Sequence, residues 1–153
     1  MDTNILFSIV TNKILISTIA SIALSQIIKI ITHFIVVRKV RWDRIFGDGG
    51  MPSSHSAAVC AAATMTGFTA GFDSTLFAIM AVFAIIVMHD SSGIRYHSGK
   101  QAKAINDMRD ILEDKFNLPD SKDLKELLGH TRLQVLCGAI LGIIVAIIIN
   151  QIL

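Results

Sequence analysis

Apolar residues are grouped into four long stretches, separated by two polar connections and one short turn. The stretches run from about Asn4 to Val37, Ser54 to Phe72, Leu76 to about His89, and Leu133 to Leu153. A helix of roughly 20 apolar residues spans the hydrocarbon core of a bilayer. The pattern therefore predicts an all-α, polytopic membrane protein with about four transmembrane helices.

The first stretch, from Asn4 to Val37, is longer than one span requires and shorter than two spans need. We expect a short N-terminal interfacial segment, followed by one long span that ends near Val37. A tight two-span hairpin, broken near Asn12-Lys13, is the alternative.

Composition supports the membrane prediction. The chain has 153 residues, of which 52% are hydrophobic and 17% are charged, against roughly 25% charged in soluble domains; the mean hydropathy is +0.60. These figures exclude a secreted disulfide mini-protein, a basic nucleic-acid-binding arm and a coiled coil. The length predicts a single membrane-embedded domain over residues 1–153. Cys60 and Cys137 lie in apolar runs, where we interpret them as packing residues.

Positive charge is concentrated in the two polar connections, residues 38–52 and 90–132, which hold 12 of the 14 Lys and Arg residues. With short turns elsewhere, both connections fall on one side of the membrane. The positive-inside tendency predicts that this side of the cell membrane is cytoplasmic. An anion-binding site would collect the same charge, so the charge bias has two explanations.

The second connection is too long to be a turn. Its residues 100–116 combine a polar face with apolar side chains at helical spacing, at Ala104, Ile105, Met108, Ile111, Leu112 and Phe116. We therefore expect a small amphipathic helical insertion over about residues 96–129, lying on the membrane surface, with a second short helix after Pro119. Packing of its apolar face on the protein's own spans is favoured over direct contact with lipid.

Small residues crowd the second and fourth spans. In the second they are Ala57, Ala58, Cys60, Ala61, Ala62, Ala63 and Gly67. In the fourth, Gly138 and Gly142 form a G-x-x-x-G pair, which allows membrane helices to approach closely. We expect spans two and four to contact each other. A homodimer contact, which would use the same feature, is the alternative.

The most informative segment for chemistry is residues 49–56, G-G-M-P-S-S-H-S. Glycine lets the backbone approach a ligand, and Pro52 suits the first turn of a helix. The hydroxyl and amide groups of Ser53 and Ser54 then stand at a helix N-terminus, which binds anions. His55 follows at the membrane edge, where it can exchange a proton. A capped helix start with an interfacial histidine is the alternative.

His130 lies just before the fourth span, near a second helix N-terminus on the same side. Two such histidines suit phosphoryl transfer, because one imidazole can attack phosphorus while the other protonates the leaving oxygen. The positive helix ends would stabilise phosphate charge. Arg95 can bind phosphate oxygens. Lys29, inside an apolar run, is either a site residue or a lysine that snorkels to the interface.

These segments resemble a known family. Residues 52–55, P-S-S-H, resemble the P-S-G-H motif of the type 2 phosphatidic acid phosphatase superfamily, which includes the vanadium-dependent haloperoxidases. Residues 129–138, G-H-T-R-L-Q-V-L-C-G, resemble its final motif, H-x-x-x-D-V-x-x-G. Over nearly the whole chain, G-G-M-P-S-S-H-S-A with the later D-S-S-G-I-R, G-K-Q-A and I-N resembles its divergent bacterial and plant branch.

The resemblance implies a role for each matching residue. His130 would be the nucleophile that forms a phosphohistidine, and His55 would be the general acid. The phosphate ligands would be Lys29, Gly50, Ser53, Ser54 and Arg95. The parent superfamily needs no metal or other cofactor for hydrolysis, and vanadate binds such sites as a phosphate mimic.

Three positions depart from the parent pattern. Leu124 stands six residues before His130, where the parent has arginine, so Arg95 fits only with about thirty inserted residues. The first motif lacks its proline, which leaves Arg38 and Arg41 as supporting candidates.

Gln134 is the third departure, because the parent has an aspartate four residues after the nucleophile. In serine proteases, replacing the corresponding carboxylate by an amide costs about 10⁴ in rate. Asp90 and Glu126 are candidate substitutes for the missing charge.

Two functions follow from this sequence. The first is a membrane phosphatase acting on a phosphomonoester or pyrophosphate with a lipid tail. The second is a catalytically inactive homologue that binds or transports a phosphate-bearing lipid, or acts as a partner subunit. Both require membrane lipid and neither involves nucleic acid.

Overall fold

The computed structural model describes residues 3–37, 50–116, 119, 123–124 and 129–153. These residues contain six helices and no strand, which confirms the all-α prediction. The helices are α1 (Thr3–Val10), α2 (Lys13–Val37), α3 (Ser54–Ala70), α4 (Thr75–Ser92), α5 (Ile94–Phe116) and α6 (Arg132–Ile152).

Three helical stretches in the described residues are long and apolar enough to cross a membrane: Lys13–Ile35, Thr75–Phe116 and Arg132–Ile152. In the second of these, the apolar part is α4. Helix α3 has 17 residues, which is at the lower end of the range for a span. The helical membrane architecture is therefore confirmed, and the count of four spans is approximate.

The first apolar stretch breaks between α1 and α2. The Asn12 side-chain oxygen accepts hydrogen bonds from the N–H groups of Ile14 and Leu15, at 2.9 and 3.2 Å, and so caps α2. Helix α1 has eight residues, which is about 12 Å at the α-helical rise, too short to cross a bilayer. The prediction of a short segment followed by one long helix is confirmed, and the two-span hairpin is wrong.

Helix α3 packs against α2, α4 and α6. Its closest approach to α6 is at the two glycines of the G-x-x-x-G pair. A Cβ at Gly138 would meet the Ser53 carbonyl oxygen, and one at Gly142 would meet the Ala57 carbonyl oxygen. The predicted contact between spans two and four is confirmed, and it brings the N-terminal ends of α3 and α6 together.

Helix α2 carries a buried stripe of serines that sequence analysis did not single out. Ser17, Ser21 and Ser25 are fully buried. Each hydroxyl donates to the carbonyl three residues earlier in its own helix, at 2.7–3.0 Å, so none of these three hydroxyls needs a partner from another helix. Lys29 continues the same four-residue spacing, and the packing of α2 therefore places it beside the bundle.

Helix α5 begins at Ile94, two residues before the predicted start of the insertion at about residue 96, and follows α4 directly at Gly93. Its apolar residues are 44–65% exposed: Ile105, Met108, Ile111, Leu112 and Phe116. The prediction that this face packs on the protein's own spans is wrong for the described residues, because these side chains stay exposed although α5 contacts α4. The second short helix falls largely outside the described residues.

Candidate active site

Ser53 starts helix α3. Its Oγ accepts a hydrogen bond from the Ser56 N–H at 3.4 Å and one from the Ser56 hydroxyl at 3.1 Å, which is the geometry of an N-cap. Both serines are fully buried. The Ser53 hydroxyl is thus engaged in the helix start, and its contact with phosphate stays a prediction. His55 follows in the first turn and is exposed.

His130 is fixed immediately before α6. Its backbone N–H donates to the Ser91 carbonyl at 2.9 Å, and the residue is only 3% exposed. Thr131 is the N-cap of α6 and forms a capping box with Gln134. The buried histidine therefore stands at the N-terminal end of α6.

The structure brings His55 and His130 together. Their ring centroids are 6.1 Å apart, with the ring planes tilted by 60°. The N-terminal ends of α3 and α6 meet at this pair, and each end carries a partial positive charge from its unpaired N–H groups. Two imidazoles of unequal exposure thus face a region where an anion is stabilised.

The Gln134 side chain contacts one ring nitrogen of His130. The Gln134 Oε1 accepts the Thr131 backbone N–H at 3.1 Å, and an N–H can only donate, so this side-chain atom is the oxygen. The same oxygen lies 3.3 Å from His130 Nδ1. An amide oxygen only accepts, so this contact favours the tautomer that carries its proton on Nδ1 and its lone pair on Nε2.

Lys29 belongs to the same cluster. It is 8% exposed, and its Nζ donates to the Ser54 Oγ at 3.4 Å. Gly50, at φ +87°, lies alongside its side chain, since a Cβ there would be 3.7 Å from the Lys29 Cγ and Cδ. The protein holds this ammonium group against the start of α3, so snorkelling to the interface does not describe it.

Arg95 is placed differently. Its Nε donates to the Asp90 Oδ2 at 2.9 Å, and the two side chains are 55% and 38% exposed. None of the contacts described for this guanidinium joins it to the histidine pair, although its backbone packs closely on Gly129. Asp90 is engaged in the ion pair. Three further candidates, Arg38, Arg41 and Glu126, lie outside the described residues.

Two backbone hydrogen bonds hold the site together, and sequence analysis predicted neither. One is the His130-to-Ser91 bond, and the other runs from the Ser53 N–H to the Gln134 carbonyl at 3.0 Å. Backbone groups are common to all residues, so no side-chain pattern could have indicated these bonds. Within the described ranges, no group of three or more His, Cys, Asp or Glu side chains could hold a metal ion.

Comparison with known proteins shows the family to which the sequence belongs. Residues 10–145 match the divergent PAP2 family. A membrane protein of Bacillus subtilis (strain 168), YuiD, described as uncharacterized, is 41% identical over 151 residues, covering 92% of this chain and 96% of that protein. No solved structure matches the chain. The match extends over most of the sequence, including both histidines, and the chain therefore belongs to the divergent PAP2 family.

Proposed function

We propose that this protein hydrolyses a phosphomonoester or pyrophosphate carried by a membrane lipid, through a phosphohistidine formed on His130. The observation that carries the proposal is the pairing of His55 with His130, whose ring centroids are 6.1 Å apart. A reacting atom lies about 3–3.5 Å from its nucleophile, and a general acid about 2.6–3.2 Å from its oxygen. Both imidazoles therefore reach one phosphoryl group.

In the first step, the His130 Nε2 lone pair attacks phosphorus and forms an N–P bond. The bond from phosphorus to the leaving oxygen breaks, and protonated His55 donates its proton to that oxygen. Lys29 and the N-terminal ends of α3 and α6 stabilise the negative charge on the remaining phosphate oxygens. The products are the lipid alcohol, or the shorter lipid phosphate, and the phosphohistidine.

In the second step, water attacks the phosphorus of the phosphohistidine. His55, now neutral, takes a proton from the water, the N–P bond breaks, and inorganic phosphate leaves. The exposure of His55 suits this role, because it lets the imidazole exchange its proton with solvent. The burial of His130 suits a nucleophile that should meet phosphorus before water.

A lipid substrate is supported by the surroundings of the site. The histidines stand at the ends of apolar helices, and the outward faces of these helices expose large aliphatic side chains such as Leu133 and Ile140. A lipid tail can lie along such a face while its phosphate enters the basic cluster. The cytoplasmic orientation of this end remains part of the proposal and rests on the positive-inside tendency.

A second candidate function is favoured by one observation. The partner described at His130 Nδ1 is an amide oxygen and not a carboxylate, so it supplies no negative charge to stabilise the imidazolium. A chain that binds or transports a phosphate-bearing lipid, or serves as a partner subunit, would need the anion site alone. It would keep the lipid-phosphate affinity and lack turnover.

The test is release of inorganic phosphate by the purified, detergent-solubilised protein. The substrates are phosphatidic acid, phosphatidylglycerophosphate and isoprenyl pyrophosphates. The hydrolase proposal expects release from at least one substrate, abolished in His130→Ala and inhibited by vanadate. Lys103→Ala, at an exposed position of α5, is the control variant and should retain activity.

The two candidate functions give different results in the same preparation. Saturable binding of a lipid phosphate with no release by the wild type would support the non-catalytic function. Equal release by wild type and His130→Ala would contradict the phosphohistidine mechanism.

A further inference from the structure

A cleft of about 1000 Å³ lies between α4, α5 and α6. Each helix contributes four lining residues, and in all three helices they stand at positions i, i+3, i+4 and i+7. That spacing is one face of an α-helix. The cleft is therefore a groove with three helical walls, and its volume is at the upper end for a small-molecule site.

The groove is polar at one end. The polar lining residues are His89 and Ser92 near the end of α4, Arg132 at the start of α6, and His97, Ser98 and Gln101 on α5. The end of α4 and the start of α6 adjoin, because the His130 N–H bonds to the Ser91 carbonyl. The polar residues of α4 and α6 therefore lie at one level, at the edge of the membrane-spanning helices, and α5 adds further polar groups to the groove.

The other end of the groove is apolar. Ile85 lies two turns before Ser92 on α4, and Val135, Leu136 and Ala139 lie one and two turns beyond Arg132 on α6. The two helices run in opposite directions from the polar end, so these side chains lie at greater depth along the spans. The groove thus has polar groups at the membrane edge and apolar groups deeper in the membrane. A phospholipid has its headgroup and acyl chains in the same order.

The positive charge of the groove favours an anionic lipid. Arginine and two histidines line it, and in the described part of the chain none of the lining residues is Asp or Glu. A basic residue near the membrane surface attracts anionic lipid by about 1 kcal/mol, which is about a fivefold change in affinity. Arginine also binds phosphate oxygens through two parallel hydrogen bonds. A neutral lipid would gain little from this lining.

The groove is separate from the histidine pair. Its lining includes none of the cluster residues Lys29, Ser54, His55 and His130. It approaches the cluster only through neighbours in sequence, since Ser92 follows Ser91 and Arg132 lies two positions after His130.

We propose that this groove binds an anionic membrane phospholipid, with its phosphate at Arg132 and an acyl chain along α4 and α6. The bound lipid is distinct from the phosphate that reacts at His130.

The probe is an equimolar mixture of phosphatidylglycerol and phosphatidylcholine with identical acyl chains, added to the detergent-purified protein. Native mass spectrometry measures how much of each lipid the protein retains. We expect retention of phosphatidylglycerol over phosphatidylcholine, reduced about fivefold in Arg132→Gln. Lys103→Gln is the matched control, because it removes the same charge from an exposed position of α5 outside the lining, and it should leave retention unchanged.

Two further variants test the location. Ala139→Phe fills the apolar end of the groove and should reduce retention of both lipids, whereas Ile140→Phe, on the neighbouring exposed position of α6, should not. Lys29→Met removes the ammonium of the histidine cluster and should leave phosphatidylglycerol retention unchanged. Size-exclusion profiles show whether each variant is folded.

Several outcomes would overturn the proposal. Unchanged lipid retention in both Arg132→Gln and Ala139→Phe would exclude this groove. Loss of retention in Lys29→Met would place the lipid in the histidine cluster instead. Conversion of a dimer to a monomer by Ala139→Phe, with lipid retention unchanged, would assign the groove to a second copy of the chain. Since the readout is retained lipid, failure of the phosphatase activity would not affect this test.

Discussion

The Gln134 side-chain oxygen is shared between two donors, the backbone N–H of Thr131 at 3.1 Å and the Nδ1 of His130 at 3.3 Å. One amide therefore caps α6 and orients the His130 ring. Gln134→Leu removes both hydrogen bonds, and we expect it to lower the kcat of phosphate release by about 10- to 100-fold. Unchanged kcat in a folded Leu variant would contradict this role for the amide.

Gln134→Glu is the converse variant. It keeps the length of the side chain and the capping box, and it adds the negative charge that stabilises an imidazolium. We expect its kcat to equal or exceed that of the wild type under the same phosphate-release assay. A strong loss of kcat would mean that the neutral amide is required.

Lys29→Met tests the buried ammonium group. A charge-assisted hydrogen bond contributes about 1.5–3 kcal/mol, so we expect vanadate to inhibit phosphate release at least about tenfold more weakly. Lys13→Met, at the opposite end of α2, is the matched control and should leave the vanadate inhibition constant unchanged. Equal constants in the two variants would remove Lys29 from the anion site.

Arg95→Gln tests whether Arg95 only forms an ion pair or also binds phosphate. The exposed Arg95–Asp90 pair contributes at most about 1 kcal/mol to stability, so its guanidinium is readily released to a substrate. If Arg95 binds phosphate, Arg95→Gln raises KM while Asp90→Asn does not. If both variants leave KM unchanged, the pair only joins the ends of α4 and α5.

Gly138→Ala tests the contact between α3 and α6. The added methyl group would meet the Ser53 carbonyl oxygen, and overpacking of this kind costs about 1–3 kcal/mol. We expect a lower melting temperature in detergent, together with reduced activity. Ile140→Ala, on the exposed face of the same helix, should change stability by less than about 0.5 kcal/mol. Equal melting temperatures in the two variants would contradict the close approach.

Asn106→Ala tests two hydrogen bonds that join α5 to the segment before His130. The Asn106 amide donates to the Leu124 carbonyl and accepts its N–H, both at 3.0 Å. Nearby, Arg109 forms an ion pair with Asp123, and this hydrogen bond raises the pKa of Arg109.

We expect the Leu124 amide to exchange its hydrogen at least about tenfold faster in Asn106→Ala. The control variant Lys103→Ala, on an exposed position of α5, should leave this rate unchanged. An unchanged rate in Asn106→Ala would show that other contacts hold the segment.

The sequence pattern predicted the features that depend on side chains at regular spacing. Apolar runs located the helices of the bundle, and Gly138 with Gly142 predicted the contact with α3. The motifs around His55 and His130 predicted that two helix starts would adjoin. The Ser17–Ser21–Ser25 stripe was also readable, since small residues every four positions indicate a packed helix face.

Other features depended on three-dimensional arrangement. The hydrogen bond between the His130 N–H and the Ser91 carbonyl involves backbone groups that every residue carries. The exposure of the apolar face of α5 depends on whether another part of the chain packs over that face. The pairing of Arg95 with Asp90 depends on the direction of α5 after Gly93.

The backbone bond from His130 to Ser91 joins two residues that are 39 positions apart in the chain. Gly129 packs on the backbone of Arg95 and Tyr96 at the same junction. The segment between these points therefore starts and ends at the same place on the helical bundle. Because loop-closure entropy grows slowly with loop length, the length of this segment can change at little entropic cost while His130 keeps its position.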